Sequence, residues 1–185
     1  MPVFLDANDA DFEVAFSKLL DAKREDSPDV DHIVAEIIAD VRARGDAAVL
    51  DLTQKFDRLT LTAENLRISQ DEISEHILRV PEEERMALEF AAQRIRDYHE
   101  RQLPQNAMWR EKNGAELGWR WTAVAQAGLY VPGGLASYPS SVLMNAIPAN
   151  VAGVGRLVVT VPTPDGVINP LVLLASEISG VTEIY

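Results

Sequence analysis

No cysteine occurs in the 185 residues. Disulfides, thiol nucleophiles and Cys-ligated zinc are thereby excluded. No uncharged apolar run is long enough to cross a bilayer. The opening MPVFLDANDADFE lacks the basic start and apolar run of a secretory signal, so a cytoplasmic location is the expectation. Positive charge is scarce: Lys and Arg number 17 against 29 Asp and Glu, for a net charge of −12. RARG at 42–45 is the densest basic stretch, and it reads as an exposed helix end. Such a field repels phosphate backbones and anionic membrane surfaces, so neither nucleic acid nor membrane is an expected partner. HExxH, HxxxH, GxSxG and Walker patterns are all missing, and His32, His76 and His99 stand far apart. No metal site or complete catalytic apparatus is visible, and there is no internal repeat or low-complexity tract.

What remains is a soluble globular composition, 47% apolar and 25% charged. Its charge is unevenly spread. From residue 125 onward only Arg156, Asp165, Glu177 and Glu183 are charged, and most of the glycines lie there. The shift points to a boundary near 122–127.

The first part reads as helical. Asp9 or Asp11 can cap a helix bearing Phe12, Val14, Phe16, Leu19 and Leu20. Ser27-Pro28 fits an N-cap with proline at the first helical position. The next helix carries Val30, Ile33, Val34, Ile37, Ile38 and Val41 at helical spacing and ends at Gly45. Asp46 can cap a third. LRIS at 66–69 suggests a short strand, followed by helices over 70–80 and about 81–103. The last is expected to bury Met86, Leu88, Phe90, Ala91 and Ile95. At 107–124 the period changes to two strands around Asn113-Gly114, a hairpin signal. Leu117, Trp119 and Trp121 alternate onto one face, which is expected to pack against the core.

The second part alternates strand and helix: AGLYV, then PSSVLMNAIPANVAGV with a proline expected to kink or restart it, then RLVVTVP, a helix over 169–179, and VTEIY. Strands apolar on both faces and separated by helices imply a parallel sheet covered on both sides. The fold class is therefore α/β, a helical N-terminal part followed by the incomplete start of a Rossmann-like parallel sheet. Val181–Tyr185 would be left as an open edge.

Ligands of such sheets bind beyond the strands' carboxyl ends. Tyr130-Val131-Pro132-Gly133-Gly134 occupies one such end, before a helix whose first N–H groups at Pro139-Ser140-Ser141 favour an anion. The pattern is not GxGxxG, and on spacing alone a tight turn with Ser140 as helix cap is the plainer reading. Thr160, Thr163 and Asp165 lie at the next strand end. They can meet a ribose or simply form a surface turn at Pro164-Asp165-Gly166.

GLYVPGG at 128–134, YPSSVLMNAIPANVAGV at 138–154, VVTVPTPDG and IIADVRARGDAAVLDLTQKFD at 37–57 together resemble the histidinol dehydrogenase family over nearly the whole chain. TAVAQAG at 122–128 departs mildly, since members often carry a proline near its start. The resemblance implies a zinc-containing homodimer that oxidises L-histidinol to L-histidine through an aldehyde, using NAD twice. It implies NAD contact by Tyr130 and close approach at Gly133 and Gly134. It implies that residues 1–24 form a dimer-crossing arm, that 25–125 belong to a first Rossmann-like domain, and that 126–185 begin a second, NAD-binding one. The family's catalytic Glu–His pair and zinc ligands match nothing in this sequence, so the chain reads as an N-terminal portion, inactive alone. The alternative is a non-catalytic binding or assembly module, or a short paralogue of the same fold.

Overall fold

A computed structural model of the chain describes residues 4–23, 28–132 and 138–185. They fall into two compact units, Met1–Val49 and Leu50–Tyr185.

The first unit holds α1 (Phe12–Lys23), α2 (Pro28–Arg44) and the start of α3 (Asp46–Asp57). Phe12 and Phe16, one turn apart, stack with ring centroids 5.5 Å apart. Pro28 opens α2, as its fixed φ favours; Ser27 lies outside the described residues. Gly45 stops the helix at φ +59°, donating its N–H to the Val41 carbonyl at 2.8 Å. This left-handed position suits glycine. Val30, Ile33, Val34 and Ile38 form the expected apolar stripe of α2, yet each is between 44% and 55% exposed.

The second unit contains a three-stranded parallel sheet of β3 (Gln126–Tyr130), β4 (Arg156–Thr160) and β5 (Glu183–Ile184), in that order. α6 (Pro139–Val151) joins β3 to β4, and α7 (Pro170–Ile178) joins β4 to β5. The two helices pack side by side. Beneath them the strands send Val131, Leu157, Val159 and Ile184 into the core, against Val142, Leu143, Ile147, Val172 and Leu173. α5 (Glu82–Glu100) crosses α6 and α7, while α4 (Gln70–Ile77) packs on α7. Pro148 does not restart α6, which runs through it as one helix. Asn169 caps α7 by accepting the Leu171 N–H at 2.8 Å.

Several expectations are corrected here. The sheet is covered on one face only among the described residues. Gln126, Tyr130, Arg156 and Thr160 on the other face are exposed. The apolar run RLVVTVP thus behaves as an alternating strand, with Leu157 and Val159 buried and Val158 only half so. LRIS is not a strand. Instead Ser69 accepts the Glu72 N–H to cap α4, and Ile68 donates to the Ile184 carbonyl at 2.9 Å. With Arg67 bonded to the Thr182 carbonyl at 3.0 Å, this segment covers part of the β5 edge that was expected to stand open. α5 buries Leu88, Ala91, Ala92 and Ile95, the i, i+3, i+4, i+7 set. Met86 and Phe90 fall off that stripe and are 60% and 65% exposed.

The hairpin forms as expected from β1 (Ala107–Arg110) and β2 (Glu116–Trp119), with Gly114 at φ +90°. It does not pack against the core. Seven of its eight strand residues are exposed, and its strands pair only with each other. Trp109 and Trp119 cover one another edge to face at 5.5 Å. Trp121 lies beyond β2 and is also exposed.

Candidate functional site

The carboxyl ends of β3, β4 and β5 lie together. Tyr130 is the register partner of Thr160. Beyond them Val131 donates to the Thr160 carbonyl and Val161 to the Tyr185 carbonyl, each at 3.0 Å. Strand alternation drives Leu129 and Val131 inward and turns Tyr130 outward. Val131 is fully buried, whereas Tyr130 is 67% exposed. Its ring is an aromatic surface at a rigid strand end. Pro132 then offers no N–H to continue the ladder.

Gly133 and Gly134 lie outside the described residues. The chain resumes at Tyr138, the residue before α6, and Pro139 takes the first helical position. Ser140 is not the cap. It sits inside the first turn, and no side chain caps this helix. Ser141 donates to the Tyr138 carbonyl at 2.9 Å, so part of that turn is internally satisfied.

At the end of β4, Pro164–Gly166 form a single 3-10 turn. Asp165 within it has φ +57°, and both its oxygens accept from Arg58 at 2.6 Å. The guanidinium holds this carboxyl below its usual range, and the carboxylate raises Arg58 in turn. Asp165 is therefore engaged by protein, leaving Thr160 and Thr163 as the polar groups of this strand end.

A polar ladder that the sequence reading missed crosses the open face at the strands' amino ends. Arg156 donates Nε and Nη2 to the two oxygens of Glu183, at 2.6 and 2.8 Å, and Nη1 to Gln126 at 3.0 Å. Tyr185 donates its hydroxyl to Glu183 at 2.9 Å. These bonds, Arg156 first, pull the Glu183 pKa from 4.5 to about 2. The signal was present: Gln126 and Tyr130, and Glu183 and Tyr185, share parity along their strands, and Arg156 is the lone charge of a long apolar stretch.

Among the described residues no group of three or more His, Asp or Glu is placed to hold a metal. His32 pairs with Glu36 at 3.1 Å one turn away on α2. A groove lined by Arg67, Ser69, Gln70, Glu177 and Thr182 runs beside the β5 edge. Neither Tyr130 nor Thr160 lines it.

Residues 20–185 match the family model for histidinol dehydrogenase. The chain belongs to that family. It is 69% identical over all 185 residues to the histidinol dehydrogenase of Ruegeria pomeroyi and 66% identical to that of Cereibacter sphaeroides. It spans 43% of the length of each of these relatives. The crystal structure of histidinol dehydrogenase from Elizabethkingia anophelis superposes with a TM-score of 0.81 at 31% identity, over 87% of this chain and 37% of that one. The mixed α/β fold with its small parallel sheet is accordingly that of histidinol dehydrogenase.

Proposed function

We propose that the chain is the N-terminal part of an NAD- and zinc-dependent histidinol dehydrogenase, acting in the cytoplasm at the end of histidine biosynthesis. The complete enzyme oxidises L-histidinol to L-histidine through L-histidinal. In this reading Tyr130 contacts NAD, Gly133 and Gly134 let the dinucleotide approach the backbone, and residues from 126 onward open the NAD-binding domain. The family match carries the reaction. The observation that carries the site is the exposed Tyr130 ring at the carboxyl end of β3, where parallel sheets receive ligands.

The residues fit a dinucleotide. An aromatic ring on a rigid strand offers a stacking or hydrogen-bonding surface, and the sequence follows it with Gly133 and Gly134, residues without side chains. When bound, NAD accepts the hydride removed from the substrate's carbinol carbon. Tyr130 would orient the dinucleotide; no described residue is assigned to move the proton. Zinc would be held by residues of the complete enzyme outside these 185. The 185 residues alone are then expected to show no turnover.

Homodimerisation is part of the same proposal. The half-exposed stripe of Val30, Ile33, Val34 and Ile38 on α2, with Val14 73% exposed on α1, is apolar surface of the kind that subunit contacts cover.

The test follows NADH formation from histidinol. Turnover by the complete gene product, a background rate from the 185-residue chain, and a KM for NAD raised roughly tenfold by Tyr130→Ala, the loss of one stacked ring, support the reading. Unchanged NAD kinetics in that variant would remove Tyr130 from the site. Sustained turnover by the chain alone would overturn the fragment reading.

A further inference from the structure

We propose that Arg58 and Asp165 form a positioning pair that fixes the loop between β4 and α7, and through it the cofactor side of the site. The proposal rests on the NAD reading above. Four observations carry it. The two residues are the only non-glycine residues with positive φ among those described, +56° and +57°. L-residues rarely adopt this conformation, and it persists where the surroundings hold it in place. The paired side chains make two parallel hydrogen bonds of 2.6 Å between positions 107 apart in sequence. The fork of arginine binds a carboxylate through two parallel, roughly coplanar bonds, here from Nε and Nη2, so the pair fixes angle as well as distance. Beside it, a Cβ placed on Gly166 would stand 3.4 Å from Leu59 Cδ1, so the loop lies close to the residue after Arg58.

The loop so held springs from Thr160, the register partner of Tyr130. Its own bonds are local: Gly166 to the Thr163 carbonyl at 2.9 Å and Val167 to that of Pro164 at 3.2 Å. These close the turn on itself, while the loop's start is held by the Val161 N–H on the Tyr185 carbonyl at 3.0 Å. The pair ties the turn itself, at Asp165, to the segment after α3. Arg58 does not touch the reacting atoms; it acts through the loop. Holding the loop before NAD arrives spares binding the cost of ordering it.

The test uses the complete gene product. Arg58→Ala and Asp165→Ala should each raise the KM for NAD roughly two- to fivefold, the scale of an exposed ion pair, with kcat little changed. Arg58→Lys should recover part of the loss, since lysine keeps the charge without the fork. The exchange of charges, Arg58→Asp with Asp165→Arg, should recover part as well. Amide exchange at Gly166 and Val167 should speed up in the alanine variants. Unchanged KM in both single variants, or a fall in kcat alone, would overturn the proposal. Tyr130→Ala run in parallel separates the two claims: if it alone leaves NAD kinetics unchanged, the Tyr130 assignment fails while the pair stands. Absence of any saturable NAD dependence in the unaltered enzyme overturns both.

Discussion

Arg156 and Glu183 join adjacent parallel strands through two hydrogen bonds of 2.6 and 2.8 Å. The carboxylate is only 14% exposed, while the guanidinium is 49% exposed. Their geometry makes Glu183 a stronger acid in the folded chain than in the unfolded one.

The consequence for pH has a definite sign. Folded Glu183 titrates at about 2 against an ordinary value of 4.5. As pH falls through that window the unfolded chain takes up the proton first, so stability present above 4.5 is lost toward 2. Glu183→Gln should flatten this part of the acid profile. Urea midpoints at about pH 6 and about pH 3 measure it, and an equal acid loss in wild type and variant would contradict the assignment.

Core and surface apolar residues should separate cleanly. Leu173 on α7 is fully buried in the core, and Leu173→Ala should cost about 2–5 kcal/mol. Phe90 is 65% exposed, and Phe90→Ala should stay within about 0.5 kcal/mol. Denaturant titration of both variants checks the pair.

The α7 cap offers a subtler probe. Asn169→Ala removes the acceptor of the Leu171 N–H and should cost about 1 kcal/mol. Asn169→Asp should keep most of that stability, since aspartate also accepts at a helix start. A Tm lowered equally by both substitutions would show that the cap bond is not what matters there.

In the hairpin, a Cβ at Gly118 would collide with the Ala107 carbonyl oxygen on the paired strand. Gly118→Ala should cost about 1–3 kcal/mol locally. Because the hairpin's strands pair only with each other, the loss should appear as faster amide exchange at Glu111, with protection at Leu173 retained.

Much of this fold was legible because local chemistry and tertiary structure agree. Pro28 and Gly45 bracket α2, Asn113-Gly114 turns the hairpin, and the alternation after residue 125 becomes β3-α6-β4-α7-β5. The misreadings share a cause. Apolar periodicity says which residues share a face but not whether anything covers it. Periodicity puts Phe90, Trp119 and Val158 on buried surfaces, and that Phe90 and Trp119 are exposed and Val158 only half-buried depends on partners that a local pattern does not name. Ser69 was misread because a capping serine and a strand end look alike until the next turn is known. Family resemblance points to Tyr130, whereas nothing in the sequence marks Arg58. Its partner is 107 residues away and its role depends on a backbone angle.

The core of the second unit has an order in time as well as in space. α4, α5, β3, α6, β4, α7 and β5 follow one another without interruption by the first unit, and α4 and α5 precede the helices they pack on. A ribosome delivers these pieces in the sequence in which they are needed. α4 and α5 are already synthesised when α6 and α7 emerge, so the two helices that cover the sheet find their packing partners waiting as they leave the ribosome.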